Sequence, residues 1–355
     1  MNYLDIYVLQ SVPAANINRD DTGAPKTVVY GGVTRSRVSS QAWKRAMRND
    51  FREQGIETGF RTKKVLELLT NELIRQKELD SDSALKIAQS ILDAAKIKYD
   101  KENLTKALLM ISPGQIRKLV EYALTNEKLD SKEIKEVFNN NNSIDLALFG
   151  RMVADNPELT VEATSQVAHA ISTHEIEPEF DYFTALDDLQ NKENAGAAML
   201  GDLEYNSSTL YRYANVNIRE LIEDLGKEDA IKGVKEFIKS FVKSMPTGKQ
   251  NTFANKTVPG YVMVVLRKDT PVNLVSAFEE PISSKNGYLK DSIKKLNDEY
   301  VNTMKFVEEP VASLVLSKDA LEPKESQIES KNLGDLLKEV VMLLEEGDKN
   351  ESTNN

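Results

Sequence analysis

The spacing of polar and apolar positions changes character several times along the chain. From Tyr3 to Gln10, Leu4, Ile6 and Val8 alternate with Tyr3, Asp5 and Tyr7, the period-two pattern of a half-buried strand. Residues 11–37 lose that period and are rich in Pro, Asn, Asp, Gly and Thr. They are expected to form a long ordered loop with a short hairpin at Val28–Val33. A loop of this length inside a compact domain is commonly functional. Ser39 or Ser40 then supplies the N-cap of a helix running to about Phe51.

Between 62 and 140 the period becomes helical. Ala84, Ile87, Ala88, Ile91, Leu92 and Ala95 keep one face, and Ile116, Leu119, Val120, Ala123 and Leu124 keep another, as amphipathic helices require. Ser112-Pro113-Gly114-Gln115 reads as a capping box with proline at the first helical position. Four or five helices are expected here, a helical insertion over 56–140. Ile144–Phe149 reads as a return to strand, followed by Gly150-Arg151-Met152. The acidic, aromatic run Glu175–Asp188 and the Gly/Ala-rich Asn194–Gly201 precede a strand at Thr209–Ile218, so 175–208 reads as a projecting arm. A helix over Glu228–Met245, a glycine turn at Pro246–Asn251, a strand at Val258–Leu266, a helix near Asp291–Met304 and a strand at Ala312–Ser317 complete the pattern. An amphipathic helix and an acidic, disordered end occupy 331–355.

Without the two insertions the order is strand, helix, strand, strand, helix, strand. That is an α+β, ferredoxin-like unit over 1–55 and 140–330, the arrangement used by RNA-recognition motifs. The aromatic signature of those motifs is absent, so the sheet alone does not assign RNA binding.

Composition narrows the classes. The 355 residues carry a formal net charge of −10 and no cysteine. Disulfides, thiolate metal sites and cysteine nucleophiles are thereby excluded, and a reducing cytoplasm is expected. No apolar run approaches the roughly 20 residues of a membrane span, and Met1–Gln10 lacks the positive start of a secretory leader.

Against this acidic background, residues 18–52 hold eight cations (Arg19, Lys26, Arg35, Arg37, Lys44, Arg45, Arg48, Arg52) and three acids (Asp20, Asp21, Asp50). Local positive charge on an acidic chain points to a polyanion at one place. On a helical wheel Gln41, Lys44, Arg45, Arg48 and Arg52 share one arc, opposite Trp43, Ala46 and Met47. The free N–H groups at the helix start favour phosphate as well.

The run NRDDTGAPKTVVYGGVTRSRVSSQAWKRAMR (18–48) closely resembles the signature of the backbone subunit of type I-E CRISPR Cascade complexes. DLALFGRM at Asp145–Met152, QVAHAISTH at Gln166–His174, DYFTALDDL at Asp181–Leu189 and YRYANVNI at Tyr211–Ile218 follow in that family's order. The resemblance covers nearly the whole chain. It implies a modified RNA-recognition palm, helical fingers, and a thumb that kinks the guide RNA (crRNA) at intervals. Copies would stack head to tail along the guide and present its bases to a target DNA strand, alongside other Cascade subunits. By matching position, Arg19, Lys26, Ser39, Gln41, Lys44, Arg45 and Arg48 would grip the guide backbone. Met152 would wedge beside a displaced nucleotide, Tyr182 and Phe183 would sit on the thumb, and Lys249 and Gln250 would add a contact. Some family members carry Trp where this chain has Tyr182, and an aromatic wedge is kept. No cofactor, no metal and no catalysis are expected.

Two other classes stand beside this reading. Relatives in type III complexes cut RNA with a backbone-subunit aspartate, so Asp20, Asp21, Asp187 and Asp188 are candidates for a Mg²⁺-dependent ribonuclease. Asp20 and Asp21 lie among cations, where salt bridges that order the loop are expected. A protein-only scaffold would instead pair the basic stretch with an acidic partner. The two histidines, His169 and His174, do not match the i, i+4 pairing of a helical zinc site and read as structural. Gly248-Lys249 is not a phosphate-binding P-loop, which needs G-x-x-x-x-G-K-[ST].

Overall fold

A computed structural model describes residues 1–153, 156–185, 199–319 and 327–346. Asp187, Asp188, the middle of the arm expected over 175–208, and the NESTNN end lie outside the described residues. In chain order the strands and helices begin β1 (Tyr3–Ala15), β2 (Thr27–Tyr30), β3 (Val33–Val38) and α1 (Ser40–Glu53). The helical stretch holds β4 (Phe60–Thr62), α2 (Val65–Lys77), α3 (Ser81–Ala94), β5 (Leu109–Ile111), α4 (Pro113–Thr125), α5 (Ser131–Asn139) and α6 (Ile144–Phe149). There follow β6 (Ser165–Val167), β7 (Ala170–Ser172), β8 (Glu179–Ala185), β9 (Met199–Asn217), α7 (Ile218–Leu225), α8 (Lys227–Lys243) and α9 (Gln250–Phe253). Last come β10 (Tyr261–Arg267), α10 (Leu289–Thr303), β11 (Ala312–Ser317), β12 (Ile328–Glu329) and α11 (Leu333–Glu346).

The chain divides into two compact units, one of Met1–Met47, Val167–Asn215 and Ile238–Leu343, the other of Arg48–Gln166, Val216–Phe237 and Leu344–Asn355. The first unit is built on a sheet whose strands run in the order β12-β11-β10-β1-β9-β7-β3-β2. Both faces of this sheet are covered. On one side Tyr7, Leu9, Tyr211, Tyr261, Met263 and Val265 pack with Leu274, Phe278, and Ile293, Leu296 and Tyr300 of α10. On the other, Arg212 of β9 lies 3.7 Å from the ring centroid of Trp43 (α1) and 4.5 Å from that of Phe241 (α8). Its guanidinium donates to Gln10 Oε1 and the Phe241 carbonyl, so the cation is hydrogen-bonded inside an aromatic sandwich.

The expectation of a half-buried strand at Tyr3–Gln10 is corrected here, because helices cover the polar-reading face too. Asp5 is fully buried. It accepts from Tyr213 Oη at 2.7 Å, Arg267 Nε at 2.8 Å and the Val272 N–H at 3.3 Å, the compensation a buried carboxylate requires. The hairpin is confirmed. β2 and β3 pair from Thr27↔Ser36 to Tyr30↔Val33, across Gly31 (φ 62°) and Gly32 (φ 82°), the left-handed pair that a tight hairpin turn needs. At Gly31 a Cβ would stand 1.6 Å from the Glu279 carbonyl oxygen, whereas Gly32 has nothing within 4 Å.

A second correction concerns Ile144–Phe149, which is the helix α6 and not a strand. Ile144, Asp145, Leu146, Ala147 and Leu148 are all buried, and a short run apolar on every side has no period to separate helix from strand. Gly150 ends it with φ 72°. The strand that stands beside β9 in its place is β7, in the register Ile171↔Tyr211. The strand expected at Thr209–Ile218 begins ten residues earlier, at Met199, and hands over to α7, a helix not anticipated, capped by Asn217 Oδ1 on the Glu220 N–H.

The second unit contains the helical insertion expected over 56–140. Helices α2–α5 bury Val65, Leu69, Leu73, Ala88, Ile91, Leu119, Val120, Ile134 and Phe138 in one cluster, those of α3 and α4 lying along the faces that the periodicity marked. Pro113 opens α4, and Gln115 Oε1 accepts the Ser112 N–H at 3.0 Å, as the capping sequence implied.

Candidate functional site

Within the first unit, residues 16–18 gather the predicted contacts. Asn18 Oδ1 accepts the Ser39 N–H at 2.8 Å, and its carbonyl accepts the Lys26 N–H at 2.9 Å. The loop that carries Arg19 is thereby tied to the start of α1. Asp20 Oδ1 accepts from the Thr22 N–H and Oγ1 at 2.9 and 2.7 Å and from the Ala24 N–H at 3.1 Å. The Thr22 bonds hold its carboxyl below the usual range. Hydrogen bonds of a local turn, not the expected salt bridges, therefore do the ordering at Asp20. Asp21 is exposed, as is Arg19; Lys26 is half-buried.

Ser39 Oγ accepts the Ala42 N–H at 3.3 Å, capping α1 as expected. Trp43 and Met47 are fully buried, whereas Gln41 and Arg45 are exposed. Lys44 is half-buried, and burial holds its ammonium below the usual lysine range. Nearby cations make the local field positive. His169, whose Nδ1 lies 3.1 Å from Arg37 Nη1, is kept below the usual histidine range first by burial and then by Arg37 and Lys26. Not every cation of the basic stretch faces outward. Arg35 is fully buried and donates to the carbonyls of Tyr30, Ser172 and Phe278 at 3.1, 3.0 and 2.9 Å.

The turn bearing Lys249 and Gln250 belongs to the same unit. A Cβ on Gly248 would stand 2.4 Å from the Ile17 carbonyl oxygen, so only glycine lets this turn press against the basic loop. Lys249 follows in the left-handed region (φ 50°). Phe253 packs on Tyr205 of β9, with ring centroids 5.6 Å apart.

The described part of the arm expected as a thumb over 175–208 includes a two-stranded ribbon. β8 and β9 pair antiparallel from Glu179↔Tyr205 to Ala185↔Met199, and every residue of β8 is exposed. Tyr182 is 66% and Phe183 41% exposed. Phe183 lies over Gly201, where a Cβ would stand 2.5 Å from its Cζ, an aromatic ring covering a glycine across the strands. Phe180, 64% exposed, shares the face of Tyr182; strand alternation marks it, although motif matching passed over it.

In the second unit Met152 is 80% exposed. Beside it Arg151 is buried and donates to the carbonyls of Leu159, Met110 and Phe138 at 2.8, 3.0 and 2.7 Å. The backbone below Met152 is thus fixed while its thioether projects. Arg48 Nε donates to the fully buried Asp145 at 2.8 Å, and its Nη2 donates to the Gly59 carbonyl at 3.0 Å. Asp145 also accepts from the Gly59 N–H and from Ser143 Oγ, at 2.8 and 2.7 Å.

His174 Nε2 accepts the Thr209 N–H at 3.1 Å, its Nδ1 lies 2.7 Å from the Glu175 carbonyl, and its ring stacks on Tyr288 at 3.6 Å. Among the described residues no group of three His, Cys, Asp or Glu side chains could hold a metal ion. No described helix is long and apolar enough to cross a membrane.

This is the setting for comparison with other proteins. The sequence profile of the CT1975-like proteins matches residues 4–341. The chain belongs to the CT1975-like protein family. Among solved structures, a chain described as a "CRISPR RNA-guided surveillance complex, pre-nicking" is 29% identical over 96% of this chain and 100% of its own, with a TM-score of 0.83. Another, described as a "CRISPR RNA-guided surveillance complex", is 26% identical over 96% of this chain and 98% of its own, with a TM-score of 0.65. No curated protein sequence matches. Family and fold bear out the resemblance to a Cascade backbone-type subunit read from the sequence.

Proposed function

We propose that this CT1975-like protein is the guide-RNA-binding backbone subunit of a type I-E CRISPR surveillance complex. Copies associate head to tail along the guide, hold its phosphates, kink it at the thumb and offer its bases to target DNA. The subunit itself catalyses nothing and works in the cytoplasm. The observation that carries this reading is the set of exposed Arg19, Gln41 and Arg45 with half-buried Lys26, on a loop and helix tied together by Asn18 in a chain of net charge −10. A scaffold that accepts any guide must contact phosphates and stack bases without reading their edges. Cations on an ordered loop and helix, and exposed aromatics on a ribbon, suit that task.

The strand order β10-β1-β9-β7 supports a ferredoxin-like palm, with β7 in the place first assigned to Ile144–Phe149. Ser39 acts as the cap that presents the start of α1. Lys44, Lys249 and Gln250 are assigned secondary backbone contacts. Arg48 acts by clamping Asp145 and Gly59, and Met152 by wedging from the rigid seat made by Arg151. Asp20 is engaged by its own turn, which argues against a Mg²⁺ site there.

The test is the salt dependence of guide binding. Arg19→Ala, Lys26→Ala and Arg45→Ala combined should lower the slope of log K against log salt by about 2, since each single-strand phosphate contact contributes about 0.7. A slope equal to that of the unaltered protein overturns the assignment.

A further inference from the structure

We propose that Asn16 is the joint coupling the thumb to the basic loop, so that guide contact at either one is felt at the other. The inference rests on the guide-binding reading and names how two parts of that site act together. Asn16 is fully buried. Its Nδ2 donates to the Gly23 carbonyl and to the Glu204 carbonyl, both at 2.9 Å. The first acceptor closes the loop that carries Arg19 and Lys26. The second lies on β9 in the thumb, directly opposite Phe180. One amide group therefore holds backbone from two segments that are 181 residues apart in sequence. A third element meets the same point, because a Cβ on Gly248 would stand 3.0 Å from the Asn16 carbonyl oxygen.

The chemistry of the position argues for a coupling role. Leucine would fill a buried site of this size but would leave the Gly23 and Glu204 carbonyls without their donor, the loss that a single-partner replacement carries. The side chain present instead leaves Oδ1 without a hydrogen-bond partner, so its retained value is the two donors. Only a short planar amide reaches both carbonyls from one backbone position: aspartate has no donor, and glutamine is one carbon longer. None of the described residues of the ribbon beyond Glu204 is buried, so the attitude of this part depends on what fixes its base. A shift of that base moves the Gly23 end of the loop through a single rigid group. Such coupling is reciprocal.

Hydrogen exchange on the full chain tests this, with Asn16→Leu as the decisive variant. In the free protein, amides of 19–26 and of 201–206 should both exchange about tenfold faster than in the unaltered chain, the factor expected for losing about one hydrogen bond at each. Amides of β10 should be unchanged. Oligouridylate should then slow exchange of both segments in the unaltered chain, and of the loop alone in Asn16→Leu. Thumb amides that keep their original rate in the free variant overturn the joint, as does equal protection of both segments by RNA in the variant. RNA that protects neither segment of the unaltered chain overturns the guide-binding reading, while the free-protein rates still decide whether the joint exists. If Asn16→Leu does not fold, Asn16→Ser, with one donor on a shorter arm, decides by the same comparison.

Discussion

The fingers and the thumb interrupt the same sheet-forming chain, yet they are stabilised by opposite means. The fingers bring four helices around a shared apolar cluster, in which Leu69, Ile91, Leu119 and Phe138 are wholly removed from water. The thumb is a single ribbon whose β8 exposes all seven residues. Two-stranded ribbons are marginal in water by themselves. The first region buries its apolar side chains within itself, whereas β8 of the second leaves its apolar rings exposed. Among the described residues of this ribbon the aromatics Phe180, Tyr182 and Phe183 are exposed, which is the feature that the proposed guide contact would explain.

The largest effect that could break this contrast is in the fingers. Phe138→Ala should cost about 3–5 kcal/mol of unfolding free energy, read by urea titration with a fingers-specific probe. A loss below about 1 kcal/mol would show that the cluster is not what holds the fingers. Next is the thumb. Tyr182→Ala with Phe183→Ala should change stability by no more than about 0.5 kcal/mol, as exposed positions do, while reducing assembly on guide RNA or pairing with target. Assembly and pairing at the original level would remove the thumb's claim to a partner.

The smallest effect separates the regions by pH. Burial first, and Arg35 second, hold His174 below the ordinary histidine value of 6.5, and its neutral Nε2 accepts from Thr209 at the thumb's base. The unfolded chain binds this proton more readily, so the stabilisation is complete above about pH 6.5 and declines as the pH falls toward the depressed folded value. Exchange at 208–210, corrected for its intrinsic pH dependence, should therefore accelerate between pH 7 and 5.5. His174→Gln should flatten that change, with the fingers unaffected. An acceleration that persists in His174→Gln would assign it to another group.

Much of the architecture could be read directly from spacing. The cap at Ser39, the turn at Gly31-Gly32 and the faces of α3 and α4 follow from local rules, because each depends on residues within one or two turns of one another. Ile144–Phe149 could not be read in this way, since a short element buried all round carries no period. The length of β9 was hidden for a different reason: glycine and alanine at 194–201 argue locally for a break, yet Met199, Leu200 and Gly201 pair with β8. At the site, residue types were legible and directions were not. Arg35 and Arg48 counted toward the positive stretch, but distant carbonyls and Asp145 turn them inward. Asn16 and Asn18 gave no signal at all, because their role is to bridge segments that meet only after folding.

The paired glycines of the β2–β3 turn look interchangeable on paper and are held for unlike reasons. Gly32 faces open space, so its constraint is only the sign of φ, and Asn, which tolerates the left-handed region, could replace it over generations at modest cost. Gly31 sits against the Glu279 carbonyl oxygen, so any replacement there would push apart two segments nearly 250 residues distant in sequence. Two neighbouring positions therefore differ in what they tolerate, one limited by the sign of φ and the other also by an atom that no local comparison would reveal.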